Sequence, residues 1–61
     1  MWIARDERGS VYLYKLRPKR GLHIFISANG DDATIYLGEK EVYPELTWEN
    51  SPKKVEFKII D

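Results

Sequence analysis

Turn-forming residues recur so often in this sequence that they leave no room for a long helix. Gly9, Pro18, Gly21, Asn29-Gly30, Gly38, Pro44 and Pro52 punctuate the chain. Between them, no window of about ten residues combines helical spacing with helix-forming side chains. What remains are short runs rich in β-branched and aromatic residues, the composition of strands.

Trp2-Ile3-Ala4-Arg5 and residues 10–15 flank a tight turn at Asp6-Glu7-Arg8-Gly9, and together they read as a hairpin. Residues 22–27 and 33–37 flank Asn29-Gly30, whose two residues tolerate the left-handed backbone of a type I′ turn, and read as a second hairpin. Residues 38–45 have room for one helical turn, limited by Pro44. Residues 54–60 alternate apolar and polar, as a final strand would. The expectation is one all-β domain over residues 1–61. It is a small antiparallel sheet, or partly closed barrel, of four to five short strands built from hairpins.

With 61 residues, such a domain buries only about 60% of the surface its unfolded chain exposes. Chains this small commonly need a staple. The absence of cysteine excludes disulfides and thiolate metal sites, and a single histidine excludes a His-rich zinc site. Packing and self-association are left, and an aromatic content of 13% favours packing. No charged n-region precedes an apolar h-region at the N-terminus, and no apolar run is long enough to span a bilayer. A cytoplasmic protein without membrane contact or cofactor is expected.

Ten basic and ten acidic residues cancel, so no global field attracts a polyanion. Their distribution is uneven. Residues 1–22 hold six basic and two acidic groups, residues 23–50 one and six, and residues 51–61 three and two.

Strand alternation divides the side chains between two faces. Val11 and Leu13, then Leu22, Ile24 and Ile26, then Ala33, Ile35 and Leu37, then Val55, Phe57 and Ile59 form an aliphatic face, the expected core. Tyr12, Tyr14, His23, Phe25, Thr34 and Tyr36 form an aromatic, polar-tipped face. One reading covers that second face with residues 38–48, using Trp48 or Trp2 as a lid. The other leaves it open as a platform for a protein partner or for bases. A bulge would shift part of the assignment.

Lys15-Leu16-Arg17-Pro18-Lys19-Arg20 sets four basic groups beside Tyr12 and Tyr14. Cations for phosphates and rings for bases are what single-stranded nucleic acid binding requires. A solvated loop facing the acidic middle of the chain accounts for the same residues. Asp31-Asp32, Glu39 and Glu41 lack the oxygen-ligand spacing of a calcium loop and read as solvated turn residues. His23 has no local signature linking it to Ser10 or Ser27 as a nucleophile, and no Gly-rich phosphate loop is present. The expectation is therefore a non-enzyme with no catalytic, cofactor or metal residues.

Trp2-x-Ala4-Arg5-Asp6, Gly9, Tyr12-Leu13-Tyr14, Arg17-Pro18-x-Arg20, Tyr43-Pro44-Glu45-x-Thr47-Trp48-Glu49-Asn50-Ser51-Pro52 and Val55-Glu56 together form a pattern. It resembles a group of very short, uncharacterised proteins of bacteria and their phages or mobile elements. The resemblance covers the two ends and the segment from Pro44 to Val55 well, and the middle poorly. Tyr43 stands where that pattern has phenylalanine. The resemblance implies a context and no activity, and small phage-borne proteins commonly act by binding a host protein.

Two functions follow as expectations. The first is a non-catalytic protein-binding module, a small regulator or inhibitor, which docks through the aromatic face or a strand edge and is able to form a homodimer. Tyr12, Tyr14, Phe25 and Tyr36 would make its contacts. The second is single-stranded nucleic acid binding through Lys15, Arg17, Lys19 and Arg20, with Tyr12, Tyr14 and Phe25 stacking on bases. A structural piece of a larger assembly is a third possibility.

Overall fold

A computed structural model describes residues 1–28 and 34–56. It is all-β: the described residues form six short strands and no helix. The strands are β1 (Trp2–Arg5), β2 (Val11–Tyr14), β3 (Lys19–Arg20), β4 (Phe25–Ile26), β5 (Thr34–Gly38) and β6 (Lys53–Lys54). Four of them make an antiparallel sheet in the order β5-β2-β1-β6, while β3 and β4 pair in a separate two-stranded sheet. Among the described residues the sheet does not close into a barrel.

The first hairpin forms as the sequence suggests. Trp2 pairs with Tyr14 and Arg5 with Val11. Asp6 closes the turn with main chain and side chain together. Its N–H donates to the Ser10 carbonyl at 2.9 Å, and its Oδ1 accepts from the amides of Gly9 and Ser10 at 2.9 and 3.0 Å. Gly9 sits at φ 111°, where a Cβ would be strained.

The second hairpin does not form between the expected runs. β5 pairs with β2, with Tyr36 opposite Tyr12, and β4 pairs with β3. The Asn29-Gly30 turn itself, with Asp31, Asp32 and Ala33, lies outside the described residues. The final run places its first residues beside β1, with Lys54 opposite Trp2, and the Val55 amide donates to the Met1 carbonyl at 2.9 Å. Phe57 and Ile59 lie outside the described residues.

The core has one cluster on each face of the sheet. Ile3, Val11, Leu13 and Leu46 are buried on one side, with Leu37, Val42 and Val55 packed against them. Ala4, Tyr14 and Phe25 are buried on the other, flanked by Trp2, Tyr12 and Trp48. A register shift between Val11 and Tyr12 puts Gly38, rather than Leu37, opposite Val11. Leu37 nonetheless packs against the aliphatic cluster, on the face its alternation implies.

The aliphatic face is smaller than its alternation implies. Leu22, Ile24, Ile26 and Ile35 are exposed, Leu22 by 82%. Leu22, Ile24 and Ile26 belong to a run that pairs with β3 instead of entering the main sheet, so alternation there does not select a buried side. Phe25 alone of that run enters the core.

Residues 39–51 lack regular structure, yet they are tightly held. The Arg5 guanidinium, 8% exposed, supplies the partners their carbonyls lack. Its Nε donates to Leu46 O at 2.6 Å, its Nη2 to Val42 O at 2.5 Å and Tyr43 O at 3.1 Å, and its Nη1 to Gly9 O and Glu39 O. A guanidinium suits this task because it presents five N–H donors in a fixed fork. Thr47 and Asn50 then bond reciprocally through side chain and amide at 2.8 and 3.0 Å. Ser51 Oγ accepts from the Arg5 amide at 2.9 Å and donates to Thr47 O at 2.5 Å. Local side-chain bonds here replace a strand ladder.

Candidate functional site

The four aromatic residues singled out from the sequence divide into a buried pair and a surface pair. Tyr14 and Phe25 are 4% and 5% exposed and belong to the core. Tyr12 is half-buried, and Tyr36, opposite it on β5, is 54% exposed. The Tyr12 and Tyr36 rings lie 5.5 Å apart at a tilt of 59°. The lid is only partial. Trp48 is half-buried rather than buried and packs edge-on against Phe25 at 5.2 Å. Val42 and Leu46 cross to the aliphatic side, away from the tyrosines.

Glu39 fixes the end of this surface. Its carboxylate accepts from Tyr36 Oη and from Ser10 Oγ, the latter at 2.8 and 3.1 Å to its two oxygens. Donation to Glu39 pushes the Tyr36 phenol up to about 12, and the same bond from Tyr36, followed by that from Ser10, lowers the Glu39 carboxyl. The Tyr14 phenol is also pushed up to about 12, first by burial and then by Tyr12 and Asp6.

The basic residues divide as well. Lys15, Arg17 and Lys19 are exposed, and Arg17 lies over the Trp2 ring at 5.1 Å. Arg20 is engaged by the fold. Its guanidinium sits 4.3 Å from the Trp48 ring centroid and 5.0 Å from that of Phe25. Its Nη2 donates to the carbonyls of Trp48, Ser51 and Glu49 at 2.7, 3.0 and 3.3 Å. The third run is tied to the first turn by Glu7. The Glu7 amide donates to His23 O at 3.0 Å, and the Glu7 carboxylate lies 3.1 Å from His23 Nδ1, both side chains being exposed.

Asp6, Glu7, Glu39 and Glu41 gather with Arg8 and Lys40 at the end of the sheet where β1 meets β2 and β5 stops. Lys54 pairs beside Trp2, and Lys15 follows Tyr14, at the opposite end.

The two strands at the sheet's ends differ in chemistry. β6 offers Lys53 and Lys54, a charged edge of the kind that resists further pairing. β5 is Thr-Ile-Tyr-Leu-Gly and has no charge. Ile35 and Tyr36, pointing to opposite faces, are 55% and 54% exposed. Among the described residues β5 pairs only with β2.

Among the described residues no group of three or more His, Asp or Glu side chains has the geometry to hold a metal, and no helix is long and apolar enough to cross a membrane. A cleft of about 480 Å³ between the first turn and residues 44–49 is lined by Glu7, Arg8, Lys40 and Glu49, charges of both signs. Arg5 and Asp6 are not among the site residues legible in the sequence. The available signal was Arg5's parity, since alternation places it beside Ile3 on the buried face. No known protein family matches the chain, and no curated protein or solved structure matches it either.

Proposed function

We propose that this chain is a non-catalytic protein-binding module, a small regulator or inhibitor of mobile-element origin, whose partner adds a strand to the β5 edge. The observation that carries this reading is the contrast between the two edges: β5 is uncharged with Ile35 and Tyr36 both more than half exposed, whereas β6 presents Lys53 and Lys54. Main-chain bonds along β5 supply affinity, and side chains on alternate faces supply specificity. Tyr36, held by Glu39 and backed by Tyr12, is an ordered aromatic anchor of the type that dominates interface energetics. The mobile-element origin rests on the sequence resemblance alone.

The test compares proteins retained from a host lysate by the immobilised chain and by an Ile35→Lys, Tyr36→Lys variant of unchanged melting temperature. Retention by the first and not the second, insensitive to moderate salt, supports the reading. Equal retention by both overturns it.

A second reading, binding of single-stranded nucleic acid, draws on the exposure of Lys15, Arg17 and Lys19, with Arg17 over the Trp2 ring. The engagement of Arg20 with carbonyls and the burial of Tyr14 and Phe25 weigh against it, since these were the expected phosphate and base contacts. Such binding would weaken steeply with salt, which separates the two readings.

A further inference from the structure

A pocket of about 160 Å³ opens on the aromatic face between β2, β4 and the first residue of β5. That is similar in size to a cavity able to hold one benzene ring, about 150 Å³. Tyr12, Tyr14 and Phe25 line it, with Thr34 at its rim on β5. Among the described residues, Asp6 is its acidic member and no basic residue lines it.

Two of these groups belong to residues that are more than nine-tenths buried. Asp6 is 9% exposed and its Oδ1 accepts two amides; among the described residues no buried side-chain oxygen or nitrogen is left without a partner. Tyr14 is 4% exposed. Burial first, then Tyr12 and Asp6, raise that phenol.

The same face already binds cations on rings. Arg17 lies over Trp2, and Arg20 over Phe25 and Trp48, at 4.3–5.1 Å. Of the pocket's rings Phe25 already carries Arg20, while no described cation lies over Tyr12 or Tyr14, and rings attract a desolvated cation through their negative faces.

We propose that this pocket binds an alkylammonium cation, supplied by a lysine side chain of the docking partner. The identity of the source rests on the docking reading above. A strand laid along β5 passes Thr34 and brings such a side chain to the pocket mouth. The binding chemistry itself is testable without any partner.

The experiment follows amide shifts of the full chain during titration with tetramethylammonium chloride at constant ionic strength, and separately with tert-butanol, a neutral probe of similar shape. Saturable shifts at Tyr14 and Phe25 are expected from the cation alone. Asp6→Asn, which keeps an acceptor for the turn amides, and Tyr12→Leu should each weaken binding by about five-fold or more. No saturable response, an equal response to tert-butanol, or undiminished binding by Tyr12→Leu overturns the proposal. Cation binding without partner retention on β5 would overturn only the docking reading, and retention without cation binding would overturn only this one.

Discussion

Arg5 Nε donates to the carbonyl of Leu46, forty-one residues further along the chain, at 2.6 Å. This bond and three companions from the same guanidinium fasten the irregular residues 39–46 to the central strand, and a further bond holds the Gly9 carbonyl of the first turn. The charge is buried among carbonyl dipoles instead of against a carboxylate. Its removal therefore leaves several acceptors without donors, each costing about 1–3 kcal/mol where water cannot reach it. Arg5→Ala should destabilise the domain by more than about 3 kcal/mol, and Arg5→Lys, with three donors and no fork, by somewhat less. Urea denaturation measures both, and a loss below about 1 kcal/mol for Arg5→Ala would remove Arg5 from its central place.

Arg20 and Trp48 stabilise the opposite side of the fold. Their stacking, the edge contact of Trp48 with Phe25 and the carbonyl bonds of Arg20 act together. Because Trp48 is half-buried, Trp48→Ala should cost about 2–3 kcal/mol, less than a fully buried tryptophan. Arg20→Lys should cost about 1–2 kcal/mol. The two changes should be non-additive in a double-mutant cycle, and strict additivity would deny the coupling.

Gly38 holds φ 143°, and a Cβ there would lie 2.5 Å from Val42 Cγ2. Gly38→Ala therefore combines backbone strain with a clash against the aliphatic cluster. Thermal unfolding should show a loss of about 2–3 kcal/mol.

Tyr36 and Glu39 give opposite pH signatures. The Tyr36 phenol is raised from 10.0 to about 12, so its contribution is complete below pH 10 and is lost as pH rises toward 12. Tyr14, also at about 12, loses its contribution over the same interval. The lowered Glu39 carboxyl contributes above the ordinary glutamate range, and that contribution falls away at acid pH as the folded group protonates. Spectrophotometric titration should place two phenols near 12, one of which Tyr36→Phe removes. Glu39→Gln should return Tyr36 toward 10. An unchanged Tyr36 titration in that variant would contradict the bond.

The sequence made the strand content legible, because turn residues and β-branched runs act locally. It also placed Val11, Leu13 and Leu37 on the core side and Tyr12 and Tyr36 together on the other. Pairing partners were not legible. Leu22, Ile24 and Ile26 alternate as a half-buried strand would, but period alone does not say which strand a run joins, and β3 takes β4 away from the main sheet. Arg5 and Arg20 were obscured for a related reason. A charge in a short polar-rich chain reads as solvated until the carbonyls it collects, which lie 28–41 residues away for most of its bonds, are brought beside it.

The availability of the β5 edge is the claim on which the functional reading depends, and amide hydrogen exchange along Thr34–Gly38 in dilute, monomeric protein tests it most directly. An edge strand bonds through alternate residues and leaves the others facing outward. The account predicts that every second β5 amide exchanges without protection, while those paired to β2 are slow. Protection of all of them in the free monomer would mean that the edge is already occupied, and would contradict the account.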